Sequence, residues 1–66
     1  MIITLNGAKC DIQDETTLQN LMTSMGHDAR GVAASVDGEV VPRLEWQLIV
    51  LREGQAVEVL TAVQGG

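Results

Sequence analysis

The 66-residue sequence predicts an α+β fold: a mixed sheet of four to five strands with one main helix packed on one face. Three observations predict it. Two pairs of apolar runs are each joined by a two-residue turn, Asn6-Gly7 and Asp37-Gly38; a window between the pairs switches to helical period; and a last β-branched run leads out to the end of the sequence.

Met1, Ile3 and Leu5 alternate with Ile2 and Thr4, and Ala8, Cys10 and Ile12 alternate with Lys9 and Asp11. Asn6-Gly7 between them marks a hairpin, because the tight two-residue turn needs positive φ at both positions. In "DETTLQNLMTSMG", Leu18, Leu21, Met22 and Met25 fall at i, i+3, i+4 and i+7, one stripe of a helix of two to three turns. Thr16 or Thr17 caps its start, Asp14 and Glu15 lie where negative charge favours that end, and Gly26 suits the left-handed residue that stops it. A helix this short is unstable alone and must lie on the sheet.

The second hairpin places Val32, Ala34 and Val36 on one face, turns at Asp37-Gly38 and returns through Val40 and Val41 to Pro42, which cannot donate to a ladder. "RLEWQLIVL" fits a short helical turn followed by an extended buried piece, with Trp46 as an anchor. After a turn at Glu53-Gly54, Val57, Val59, Thr61 and Val63 form one face of the last strand and Leu60 and Ala62 the other. A strand apolar on both faces is central in its sheet or covered by a partner.

Composition narrows the function classes. A chain of this length holds one domain, and 45% hydrophobic residues against 20% charged ones argue for a packed core. Four basic and nine acidic residues give a net charge of −5, which disfavours nucleic acid as a partner and favours a basic protein surface. No apolar run approaches the roughly 20 residues that span a bilayer, and the start carries no secretory pattern. A single cysteine fits a reducing cytoplasm, the expected location.

Individual side chains offer little chemistry. Cys10 is expected as a small buried core residue, His27 as a solvated helix-end residue, and Asp14, Glu15 and Asp28 as solvated charges. One cysteine and one histidine do not make an ordinary zinc site, so no metal is expected. No phosphate-binding glycine loop is present, so the chain should not bind ATP by itself, and no cofactor is expected.

The exception is the end, "TAVQGG". At an average glycine usage near 7%, two given positions are both glycine by chance roughly one time in two hundred. Residues 1–63 are expected to form the domain and residues 64–66 a flexible tail, which is either a frayed end, since glycine tolerates any backbone shape, or one whose terminal carboxylate is itself the working group. Leu60 and Ala62 alternate with the core residues just before it and are expected as an exposed apolar patch where partners dock, extended by Val63 and Gln64. Arg43 and Arg52 are candidates to pair with acidic partner residues.

The order hairpin, helix, hairpin, final strand and terminal Gly-Gly resembles the β-grasp fold of ubiquitin-like proteins. Asp37-Gly38-Glu39 leading to Val41-Pro42-Arg43, Trp46 three residues later, and the closing "VQGG" resemble, more narrowly, the ThiS family, sulfur carriers of thiamine thiazole biosynthesis. The resemblance runs from Met1 to Gly66 in element order, although "RLEWQLIVL" is more apolar than such carriers usually are there. It implies a protein co-substrate rather than an enzyme. The Gly66 carboxylate would be adenylated by an E1-like, ThiF-type enzyme with ATP, loaded from a sulfur donor such as a cysteine desulfurase, and the resulting thiocarboxylate would give its sulfur to a ThiG-type thiazole synthase. Gly65 suits such a tail because it carries no side chain. A molybdopterin-type sulfur carrier and a ubiquitin-like protein modifier share the fold and the tail, and both remain open at this level.

Overall fold

A computed structural model of the chain describes residues 1–27 and 30–61. Its strands are β1 (Ile2–Leu5), β2 (Ala8–Asp11), β3 (Val32–Val36), β4 (Glu39–Val41) and β5 (Ala56–Thr61), with one α-helix, α1 (Leu18–Ser24), and a 3-10 segment, Arg43–Leu48. The sheet runs in the order β2-β1-β5-β3-β4, so the last strand is the middle one. β1 and β5 are parallel and every other neighbour is antiparallel. This is the expected β-grasp arrangement, one helix on one face of a mixed five-stranded sheet.

Both hairpins form at the turns their sequences specify. Asn6 and Asp37 each take a φ of 50°, followed by Gly7 at 85° and Gly38 at 86°, the left-handed pair whose twist matches the flanking strands. Leu5 faces Ala8 across the first turn and Val36 faces Glu39 across the second.

Of the two threonines, Thr17 is the helix cap: its Oγ1 accepts the Asn20 N–H at 3.1 Å, satisfying one of the donors a helix start leaves over. Thr16 instead donates its hydroxyl to the Gln13 carbonyl at 2.6 Å and closes the preceding turn. Asp14 and Glu15 precede the cap, Glu15 at a φ of 67°, so the first helical turn itself carries no acid. At the other end Gly26 is left-handed; its N–H reaches the Thr23 carbonyl at 3.1 Å and the His27 N–H reaches that of Met22 at 2.8 Å. These two bonds satisfy carbonyls that the helix end would otherwise leave without donors.

Seven residues make a helix only about 10 Å long, which is held by what it buries. Leu18, Leu21 and Met22 are buried against Ile3, Ala34, Val36, Val57 and Val59 of the sheet, with Trp46 and Leu51 closing the core. Met25 departs from the predicted stripe. The helix stops at Ser24, Met25 is the cap residue with φ −94° and ψ 1°, and its side chain is 45% exposed. Thr61 departs similarly, lying exposed beyond the last core residue of β5.

The ambiguous stretch resolves into both of its readings. After Pro42 the chain winds as the 3-10 segment, then extends through Ile49 to Leu51, which pairs with the helix start through Leu18 N–H to Ile49 O at 2.9 Å and Leu51 N–H to Thr16 O at 2.9 Å. Trp46 is fully buried and donates its indole N–H to the Val41 carbonyl at 2.9 Å, so the one polar atom of a large apolar side chain is satisfied. Leu44 and Leu48 of the same segment point to solvent, so its high apolar content is only partly core.

Candidate functional site

Because β5 is central and last, the chain is carried to Thr61 along the middle of the sheet. Two hairpin turns grip this strand from opposite sides. At its start, Asp37 Oδ1 accepts the Ala56 N–H at 2.9 Å while the Asp37 N–H donates to the Ala56 carbonyl at 2.8 Å. Farther along, Asn6 Oδ1 accepts the Val59 N–H at 2.8 Å while the Asn6 N–H donates to the Val57 carbonyl at 2.9 Å. Each side chain thus imitates the next backbone rung just where its own strand turns away.

Alternation along β5 sends Val57 and Val59 into the core and Glu58 and Leu60 to the face the helix leaves open. On that face the register sets Leu60 beside Ala33, and Ser35 beside both Glu58 and Val40. Together with Gly38 they line a shallow hollow of ≈ 150 Å³, bordered by Leu60 at 72% exposure and Val40 at 74%. A larger hollow of ≈ 340 Å³ lies on the helix side, lined by Ile12, Gln13, Thr16, Asn20, Leu21 and Ser24. There the Thr16 and Ser24 hydroxyls are already spent on the carbonyls of Gln13 and Leu21. Only the first hollow adjoins the end of β5.

Of the residues expected at the site, Leu60 lies on this open face; Ala62, Val63, Gln64, Gly65 and Gly66 lie outside the described residues, as does Asp28. Sequence reasoning missed Val40 and Ser35. Their signal was the Asp37-Gly38 turn, which fixes the register of β4 on β3 and puts both residues opposite the core face of that hairpin. Arg43 lies over the Trp46 ring with its guanidinium carbon 5.1 Å from the centroid, so it also packs on the core anchor, while Arg52 is exposed beside the turn before β5.

Cys10 is half-buried rather than buried, since β2 is an edge strand and shelters it on one side only. His27 is likewise half-buried, held by its backbone at the helix end. Among the described residues no three His, Cys, Asp or Glu side chains are grouped to hold a metal. The arrangement gathers no acid, base and nucleophile; it places an apolar-edged hollow beside the strand from which the chain end departs.

Comparison with known proteins bears on this geometry. A model of the ThiS family matches residues 3–66. A thiazole synthase from Paramagnetospirillum magneticum is 26% identical over 66 residues, a stretch that takes in all of this chain and 20% of that protein, so the chain spans about a fifth of its length. The crystal structure of a thiamine biosynthesis protein (ThiS) from Geobacter metallireducens superposes with a TM-score of 0.85 at 26% identity, with both chains fully covered. An NMR solution structure of a thiamine biosynthesis protein from the same organism gives 0.80 at 27% identity and covers 88% of that chain.

Proposed function

The chain belongs to the ThiS family, the small sulfur carriers of thiamine biosynthesis, and from that premise we propose that Gly66 carries the sulfur as a terminal thiocarboxylate. The observation that carries this reading is the family match itself, which runs through Gly65 and Gly66 instead of stopping at the folded part. Residues 1–63 act as the scaffold and residues 64–66 as the arm.

A carboxylate is ionised at neutral pH and resists nucleophiles, so the acyl carbon needs a better leaving group than oxide. A ThiF-type adenylating enzyme provides it: a carboxylate oxygen of Gly66 attacks the α-phosphorus of ATP, pyrophosphate departs, and an acyl adenylate remains. A sulfur nucleophile, drawn from a donor such as a cysteine desulfurase, then attacks the acyl carbon and expels AMP. Sulfide itself leaves one sulfur where one oxygen had been; a desulfurase persulfide first gives an acyl disulfide, which a thiol reductant cleaves to the same thiocarboxylate and a new disulfide. The thiocarboxylate is the form that gives its sulfur to a thiazole synthase. That enzyme class is favoured as the consumer because the thiazole synthase relative contains, within one longer chain, a segment similar to all of this one.

The catalytic groups in this scheme belong to the partners, and the chain is their co-substrate. Gly65 and Gly66 fit the part because a tail without side chains enters a narrow channel and takes conformations other residues avoid. Leu60, with Ala62, Val63 and Gln64 following it, supplies the docking surface beside that tail. The setting proposed for this chemistry is the cytoplasm, whose reducing conditions suit a chain with a single cysteine.

The test is intact mass after incubation with the adenylating enzyme, ATP and a sulfur source, beside a chain lacking Gly66. Exchange of one oxygen for sulfur in the native chain alone is the expected result. Attachment to lysines would replace this reading with that of a protein modifier, and co-purification with a molybdopterin synthase subunit would move the carrier to the other pathway.

A further inference from the structure

We propose that Asn6 is a positioning residue for the sulfur-carrying end, fixing the line along which β5 leaves the sheet. The proposal rests on the reading of Gly66 given above. β1 pairs with β5 only at Thr4–Ala56 and Leu5–Val57, whereas β3 goes on pairing as far as Thr61. Past Val57, then, β5 is held continuously on one edge, and on the other edge, among the described residues, by Asn6: its N–H on the Val57 carbonyl and its Oδ1 on the Val59 N–H, at 2.9 and 2.8 Å.

A strand paired on one edge twists more freely than one held on both. Residues 62–66 can reach at most about 17 Å beyond Thr61, so the direction of the last paired residues decides where that reach is centred. The acceptor is not a by-product of the turn. The turn requires only positive φ, which glycine supplies as well as asparagine. The grip on Val59 requires, in addition, a side-chain oxygen at that reach, which aspartate would keep and glycine would remove.

Asp37 provides the internal comparison. It has the same φ of 50° and the same kind of grip, but on Ala56, at the end of β5 away from the tail. Removing either side chain with glycine leaves a competent turn and deletes one bond to β5. Only the Asn6 bond lies on the way to Gly66.

The experiment uses the full chain as native, Asn6→Gly, Asn6→Asp and Asp37→Gly. Amide exchange at Val59 is followed by NMR, and adenylation by ATP–pyrophosphate exchange with a ThiF-type enzyme, resolved into kcat and KM. Asn6→Gly is expected to speed Val59 exchange roughly tenfold. It should also lower kcat roughly tenfold with KM little changed, because the end arrives misaimed more than it binds poorly. Asp37→Gly, with a comparable loss of thermal stability, keeps the native kcat, and Asn6→Asp restores both readouts. Native turnover in Asn6→Gly, or an equal loss in Asp37→Gly, overturns the positioning role and leaves the carrier reading standing. Failure of the native chain itself to be adenylated overturns the carrier reading and the positioning role with it.

Discussion

The two faces of this sheet are made by the same strands and have opposite characters. Under the helix, Ile3, Ala34, Val36, Val57 and Val59 are buried; on the open side, one residue along in the same strands, Ile2, Ala33, Glu58 and Leu60 are exposed, as is Val40 of β4. Parity along a strand thus separates holding the fold from the face proposed to meet a partner. Valine stands on both faces, Val36, Val57 and Val59 inside and Val40 outside, because every second residue of a strand is turned away from the core.

The sharpest way to break that separation is to place the same charge on each face of β5. Val57→Asp puts an unpaired carboxylate among Ile3, Met22 and Trp46 of the core, at a cost of several kcal/mol. A chain of this size has a total stability of only about 3–10 kcal/mol, so the expected result is loss of the cooperative thermal transition followed by circular dichroism. Three residues on, Leu60→Asp should leave the melting temperature within a few degrees of native, because the side chain is already in water. Its affinity for the adenylating enzyme, measured by calorimetry, should fall roughly 10- to 100-fold through loss of apolar contact. If Leu60→Asp melts as early as Val57→Asp, the open face is structural after all; if its affinity is unchanged, Leu60 is no part of the docking surface.

The smallest effect tests whether the covered face depends on its helix being stopped in the right place. Gly26→Ala adds a Cβ with no atom within 4 Å to meet it, so the cost comes from the φ of 76° alone. That cost is about 1 kcal/mol, or a drop of roughly 4–8 °C in melting temperature, with adenylation unaffected.

Local chemistry made most of the fold legible. Asn6-Gly7, Asp37-Gly38 and Gly26 each specify a backbone conformation that few other residues accept, and each appears where it was read. Met25 was misread because the 3.6-residue period does not say where a helix ends, and here the left-handed Gly26 takes the chain away one residue later. The grips of Asn6 on Val59 and Asp37 on Ala56 were invisible for a different reason: they join residues 53 and 19 apart, and only the placement of β5 between β1 and β3 brings them together. Of the site, alternation revealed Leu60, while its neighbours Val40 and Ser35 needed the sheet register. The roles proposed for Gly65 and Gly66 rest on residue identity and resemblance, not on geometry.

The strand order has a consequence for how the molecule is made. β1 and β3 are not neighbours in the sheet; each hairpin closes locally, and β5, later in sequence than both, pairs with each of them. Joining the two hairpins into one sheet therefore waits on pairings distant in sequence, the slow kind of step for such topologies. A chain whose β5 has not been accepted by both hairpins has no common sheet to carry the proposed arm.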